Sequence, residues 1–345
     1  MLPRIKIIFI YLFSPLTFLL GFILFQFTGK TSGISYQALI RLFCMTKGYS
    51  SDVVATIISF FTPKIALENT TGILGDMSGN ILKTTLSELK DKGYIVFESA
   101  LSDDMIAQLR HFSETTPALT RRMDTQSENQ YQKSENLFEI QNPLSVRYDY
   151  KTQDLLNCET VQNLMADNSI LSIAQAYLGC RPIVDIVTMW WHTNFSKTPD
   201  KEAAQYFHFD MDRVRWIKFF VYLTDVGPDN GPHTFVSTSH RSGQIPMALL
   251  RKGYSRLTDE EVKNHYSEDK LIEFRAPKGT IIIEDTRGLH KGKHVSGDPR
   301  LLFQLQFTQN LFGTTLPEGK INSVKDPHFK EQLNKNPNIY SAFKK

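Results

Sequence analysis

The sequence predicts a mainly β domain with flanking helices, preceded by an N-terminal transmembrane helix. Three observations lead there. An uncharged apolar run from Ile7 to Thr28 is about as long as a helix that crosses a hydrocarbon core of roughly 30 Å. Runs rich in β-branched and aromatic residues, from Trp216 to Leu223, Gly279 to Asp285 and Leu301 to Phe307, are bounded by glycine and polar turns and read as strands. A His208-Phe209-Asp210 stretch alternates as a strand does, with chemistry on one side and apolar residues on the other.

Taken in order, residues 1–29 are expected to form a single-pass membrane anchor. Arg4 and Lys6 precede the apolar run as in a signal peptide, but the run exceeds an ordinary signal core and no small-x-small cleavage site follows it. Pro15 is expected to kink this helix. Residues 30–78 read as a helical linker. Leu39, Ile40, Leu42 and Phe43, then Val53, Val54, Ile57, Ile58, Phe60 and Phe61, recur at helical spacing, with Ser51-Asp52 as a capping signal and Pro63 as a stop. These two short helices either pack on the β domain or lie on the bilayer surface. Residues 79–315 form the β domain, and 316–345, rich in Lys, Asn and Pro, read as a peripheral tail.

Residues i and i+2 of a strand point to one side, so His208 and Asp210 can grip one metal ion while Phe207, Phe209 and Met211 face away. His290, just beyond the Gly279 strand, is placed to supply a third ligand. Two imidazoles and one carboxylate leave the opposite side of an iron open, the arrangement of a non-haem Fe(II) oxygenase. A lone His-x-Asp is weak evidence, since a strand histidine is often satisfied by a neighbouring carboxylate. Its weight comes from the assembly: the pair, the Trp216 strand, the turn from Gly227 to Pro232, the Gly279 strand, His290 and Arg300.

From about Leu89 to Phe312 the chain resembles the phytanoyl-CoA dioxygenase family of Fe(II)/2-oxoglutarate oxygenases. The resemblance is carried by Leu89 to Phe97 with the helix after it, by His208-x-Asp210, by Asn230-Gly-Pro-His-Thr-Phe-Val-Ser-Thr-Ser-His240, and by Gly279 through His290 to Arg300. It implies a double-stranded β-helix (jelly roll, cupin-like), with His208, Asp210 and His290 on the iron and Arg300 on the far carboxylate of 2-oxoglutarate. Chemistry agrees, because a dicarboxylate that chelates a metal at one end needs a planar, bidentate cation at the other. The ordinary alternative for Arg300 is a rim salt bridge. Lys218 and Asn194 lie where relatives place further cofactor contacts. Of the adjacent Trp190 and Trp191, a strand lets only one line a pocket. One departure stands out: the family's Pro-Gly-Ser-His loop reads Ser237-Thr-Ser-His240, without its glycine. An intact Asp210 favours hydroxylation over halogenation.

The implied cofactors are Fe(II), 2-oxoglutarate and O2, with 2-oxoglutarate converted to succinate and CO2. The substrate is expected to be a small or lipid-linked molecule. A net charge of +3 in 345 residues is too small to imply nucleic acid. Arg213, Arg215, Arg241, Lys291, Lys293 and His294 read either as a site for an anionic substrate or as ordinary rim charge. Cys44, Cys158 and Cys180 show no disulfide or metal spacing, and with Fe(II) and 2-oxoglutarate available in the cytoplasm they place the catalytic domain there. The competing reading is a non-catalytic jelly roll that binds a metal or ligand at the membrane.

Overall fold

The structure, a computed structural model, describes residues 2–121, 133–201, 203–316 and 318–344, without the side chains of residues 2–12, 121 and 133. Its centre is a pair of antiparallel sheets. The larger contains β1 (Tyr94–Phe97), β2 (Ala118–Arg121), β3 (Lys133–Asn136), β4 (Arg147–Asp149), β5 (Ile183–His192), β6 (Trp216–Tyr222), β9 (Ile281–Glu284) and β11 (Arg300–Thr308). The smaller contains β7 (His233–Val236), β8 (Leu271–Phe274) and β10 (His290–Gly292). Their spatial orders, β1-β9-β6-β11-β5-β4-β2-β3 and β8-β7-β10, interleave strands distant in sequence, as a jelly roll does.

The two-residue period of the strands sorts side chains between two cores. On β6, Ile217, Phe219 and Val221 point outward into the main core, where they join Val187 and Met189 of β5 and Phe303 and Leu305 of β11. Phe220 and Tyr222 point between the sheets, where they meet Trp190, Phe235, Phe274, Ile282 and Leu302. Trp190 therefore faces the interior, while Trp191 stacks on Phe138 at 4.1 Å on the other side.

The N-terminal segment corrects two expectations. Residues Leu2–Thr28 do form a helix, α1, but among the described residues no helix is long and apolar enough to cross a membrane. The transmembrane anchor, and the single-pass localisation and orientation built on it, are overturned. Part of the apolar run has a different use. Phe18, Phe22 and Phe25 share one face of α1 and close on the Phe312 ring at 5.5, 5.3 and 5.6 Å. Gly21 lets α1 lie against α2 (Gly33–Thr46), since a Cβ there would fall 1.9 Å from Ser35 Oγ. The outer face of α1 leaves Leu16, Leu20, Leu24 and Phe27 exposed.

The next helix, α3, spans Tyr49–Phe61. Its N-cap is Gly48 rather than Ser51-Asp52, because Lys47 and Gly48 both adopt left-handed backbone and turn the chain sharply there. Ser51 and Asp52 fall inside the first turn. Both helices pack on the β domain: Leu39, Leu42 and Phe43 join Phe207, Phe209 and Met211 in one buried cluster, with Phe43 stacked on Phe209 at 5.3 Å. The C-terminal segment is also more than peripheral. Asp326 caps a helix, α4, over Pro327–Lys335 by accepting from the Phe329 amide, and Phe329, Ile339 and Tyr340 are fully buried in the main core. Asp-Pro is a helix-start signal that the surrounding lysines and asparagines obscure.

The missing glycine has a visible cost. Thr238 stands at φ 71°, left-handed backbone that a β-branched residue rarely adopts, and its amide is tied to Lys92 O at 2.9 Å. We expect Thr238→Gly to stabilise the protein by about 0.5–1 kcal/mol, the relief of backbone strain less the entropy that glycine adds to the unfolded chain. A urea melt with a higher midpoint and unchanged slope checks this; an unchanged or lower midpoint shows that the loop carries no such strain.

Candidate metal centre

His208 and His290 face each other across an antiparallel bridge. The His208 amide donates to His290 O at 2.9 Å, and the His290 amide donates back to His208 O at 2.8 Å. Residues paired in this way send their side chains to the same face, so both imidazoles enter the interior together, with ring centroids 4.3 Å apart. Asp210 follows two residues after His208 on that face. Its oxygens lie 3.7 Å from His208 Nε2 and 3.5 Å from His290 Nε2, and one ligand atom from each residue falls within 4.8 Å of the others. All three residues are buried.

The triad fits a divalent ion on its own hydrogen bonding. His208 Nδ1 lies 2.9 Å from Tyr206 O, and His290 Nδ1 lies 3.0 Å from Gly288 O. A carbonyl only accepts, so each Nδ1 carries a proton and each Nε2 is the nitrogen turned to the centre, the orientation metal-bound histidines share. Burial, reinforced by neighbouring His290, pushes the His208 imidazole well below its ordinary range and keeps it neutral. The three ligand atoms are close enough that one ion could be held between them.

Lys218 is brought to this centre, but on the metal ligand rather than apart from it. Its Nζ donates to Asp210 Oδ2 at 2.6 Å and reaches Asp212 Oδ2 at 3.0 Å. Burial opposes its charge, yet the two carboxylates hold its pKa above the ordinary lysine value. Asn194, by contrast, stands exposed in the loop that leaves β5. The chain turns outward after Thr193, and His192 is the residue of this stretch that bonds Arg300 in the interior.

Arg300 opens β11 directly opposite His192 and is 1% exposed. Its guanidinium donates to Gly231 O and, at 2.8 Å, to His192 Nδ1, and it lies over the Tyr222 ring. Among the described residues it has no carboxylate partner, and its Nε is buried without an acceptor, as is the indole nitrogen of the inward-facing Trp190 without one. A buried cation so placed is costly unless an anion completes it. These unpaired donors fit a carboxylate.

Sequence reasoning passed over His192, His233 and Glu284. His233 Nε2 bonds Glu284 Oε2 at 2.8 Å, and burial pushes the Glu284 carboxyl up to about 8. The available signal was register: Glu284 pairs with Lys218 across β9 and β6, so it must share the interior face. The basic residues read as a route to an anionic substrate resolve into separate pairs, Arg213 with Asp185, Arg215 with Asp52, Arg241 with Asp91, Lys291 with Asp259 and Lys293 with Glu273. His294 instead meets Gln205 at 3.3 Å.

The family model for phytanoyl-CoA dioxygenase (PhyH) matches residues 89–301. Among solved structures, HygX from Streptomyces hygroscopicus with nickel and 2-oxoglutarate bound is 14% identical over 70% of this chain and 91% of that one, at a TM-score of 0.47. EctD from S. alaskensis with 2-oxoglutarate and 5-hydroxyectoine is 18% identical over 74% and 84%, at 0.46. The epimerase SnoN from nogalamycin biosynthesis is 15% identical over 66% and 83%, at 0.43. Similarities of this size say nothing of this chain's substrate. No curated protein matches.

Lys218 yields a prediction. Lys218→Met leaves the buried Asp210 and the half-buried Asp212 without their cation and should lower the stability of the metal-free protein by about 3 kcal/mol. A divalent ion then becomes the only neutralising charge, so metal should raise the melting temperature more in the variant than in the wild type. Equal metal-induced shifts in calorimetry would show that Lys218 does not share Asp210 with the ion.

Proposed function

The chain belongs to the phytanoyl-CoA dioxygenase family, and from that premise we propose that it hydroxylates a small-molecule substrate while converting 2-oxoglutarate to succinate and CO2. It is an Fe(II)- and 2-oxoglutarate-dependent oxygenase that uses O2, and His208, Asp210 and His290 are the residues we assign to the iron. The observation that supports the co-substrate's place is Arg300, a buried guanidinium with no carboxylate partner among the described residues, in the same interior as the triad. The case for a lipid-linked substrate rested on the anchor and lapses with it.

When bound, Fe(II) would supply the redox chemistry by which O2 is reduced, with two electrons from the decarboxylation of 2-oxoglutarate and two from the substrate C–H bond. The protein's part is placement. His208 and His290 turn their Nε2 atoms to the centre because Tyr206 O and Gly288 O hold their Nδ1 atoms. Asp210 adds the negative charge, oriented by Lys218 through one oxygen. Arg300 is fixed by Gly231 O and His192, so a carboxylate that reaches it meets a preformed donor set, with Trp190 beside His192. Phe220, Tyr222 and Phe274 give this interior an aromatic lining. A non-catalytic binding role is disfavoured because all three ligands and the arginine are present.

The test is anaerobic. Wild-type protein loaded with Fe(II) should develop a weak visible charge-transfer band when 2-oxoglutarate is added, and His208→Ala should abolish it. Arg300→Ala should weaken 2-oxoglutarate binding by about 2–5 kcal/mol while iron stays bound. Unchanged 2-oxoglutarate affinity in that variant removes Arg300 from its role, and no band in folded, iron-loaded wild type returns the protein to the binding-module reading.

A further inference from the structure

The segment between β9 and β10, residues 285–289, orients two of the three metal ligands through its backbone. Thr286 O accepts from the Asp210 amide at 2.8 Å, and Gly288 O accepts from His290 Nδ1 at 3.0 Å. Between those carbonyls sits Arg287, 3% exposed. Its Nε and Nη2 donate to Asp285 at 3.0 and 2.7 Å, and Tyr177 donates to the same Asp285 at 2.5 Å. Its Nη1 donates to Asp52 Oδ1 at 2.8 Å. Asp52 belongs to α3, and its other oxygen accepts from Ser242 Oγ at 2.5 Å.

We propose that Asp52 is a positioning residue for the metal centre, acting through Arg287 on the Thr286 and Gly288 carbonyls. The proposal rests on the reading of His208, Asp210 and His290 as the metal site. Among the described residues Asp52 is the acceptor for Arg287 Nη1, so its loss leaves a buried donor unmet and Arg287 must move to find water. Arg287 cannot shift its backbone without carrying the two carbonyls beside it. Asp52 lies outside the span of the family match, 89–301, so this clamp belongs to the N-terminal helices of this chain rather than to the shared domain. It makes those helices part of the centre's support.

Cobalt(II) serves as the probe, titrated into full-length metal-free protein and followed by its visible ligand-field bands. Wild type should bind and His208→Ala should not; if wild type fails to bind, the metal reading and the proposal fall together. Groups that orient metal ligands typically change affinity by about 10- to 100-fold, and Asp52 acts one bond further out. Asp52→Ala should therefore raise the Co(II) Kd by about threefold to tenfold and alter the band shape, with part of the loss recovered in Asp52→Glu. A lower melting temperature with unchanged Kd and bands marks a merely structural residue and overturns the proposal. Ser242→Ala, which loosens Asp52 without unpairing a charge, should act in the same direction at smaller size. If Asp52→Ala does not fold, an unchanged Co(II) Kd in Ser242→Ala overturns the proposal by itself.

Discussion

The pair of backbone hydrogen bonds between His208 and His290 is the constraint on which the rest of the centre depends. An antiparallel bridge fixes two Cα atoms about 5.5 Å apart with side chains on one face. Because the strand period is two, a slip of one residue would bring Phe207 or Phe209 inside and turn an imidazole out. The bridge is thus a register lock. It also explains the use of Asp210, the next residue on the same face, rather than a carboxylate from another strand.

Charge in the interior is arranged as two ends. At one, Asp210 and Asp212 hold Lys218, which gives the metal-free centre a cation of its own. At the other, Arg300 has only neutral partners, Gly231 O and His192, and burial holds its pKa below the usual arginine value. His233 and Glu284 occupy the ground between without adding a full charge of either sign, since burial disfavours ionisation of both. A dianion that bridges a metal and a guanidinium matches this polarity. The neighbouring cations do not compete for it, because carboxylates near them already pair Arg213, Lys291 and Lys293.

Local pattern made the interior legible. The alternation in His208-x-Asp210, the inward Lys218, Phe220 and Tyr222, and the choice between Trp190 and Trp191 all follow from a two-residue period, and each stands as the strand rule places it. What failed needed distant partners. An apolar run looks alike whether lipid or Phe312 receives its phenylalanines. Ser51-Asp52 carries the residue types of a cap, but Asp52 is spent on Arg287, 235 positions away. Thr238 marks an intermediate case, in which the sequence showed an absent glycine and only the backbone showed that the left-handed turn was kept.

The strand that carries His208 and Asp210 has little sheet to hold it. Its pairings are the isolated bridges Phe207 to Leu257 and His208 to His290, without a continuous ladder. A segment so lightly hydrogen-bonded takes its position from side-chain packing. Phe207, Phe209 and Met211 provide that packing on the reverse face, against Leu39, Leu42 and Phe43 of α2. The ligands are therefore aimed inward by residues that point outward. The N-terminal helices meet the centre twice, through Phe43 on Phe209 behind the first two ligands and through Asp52 on Arg287 beside the third. A jelly roll trimmed to the family span would keep every residue assigned to the iron while losing both contacts that set their direction.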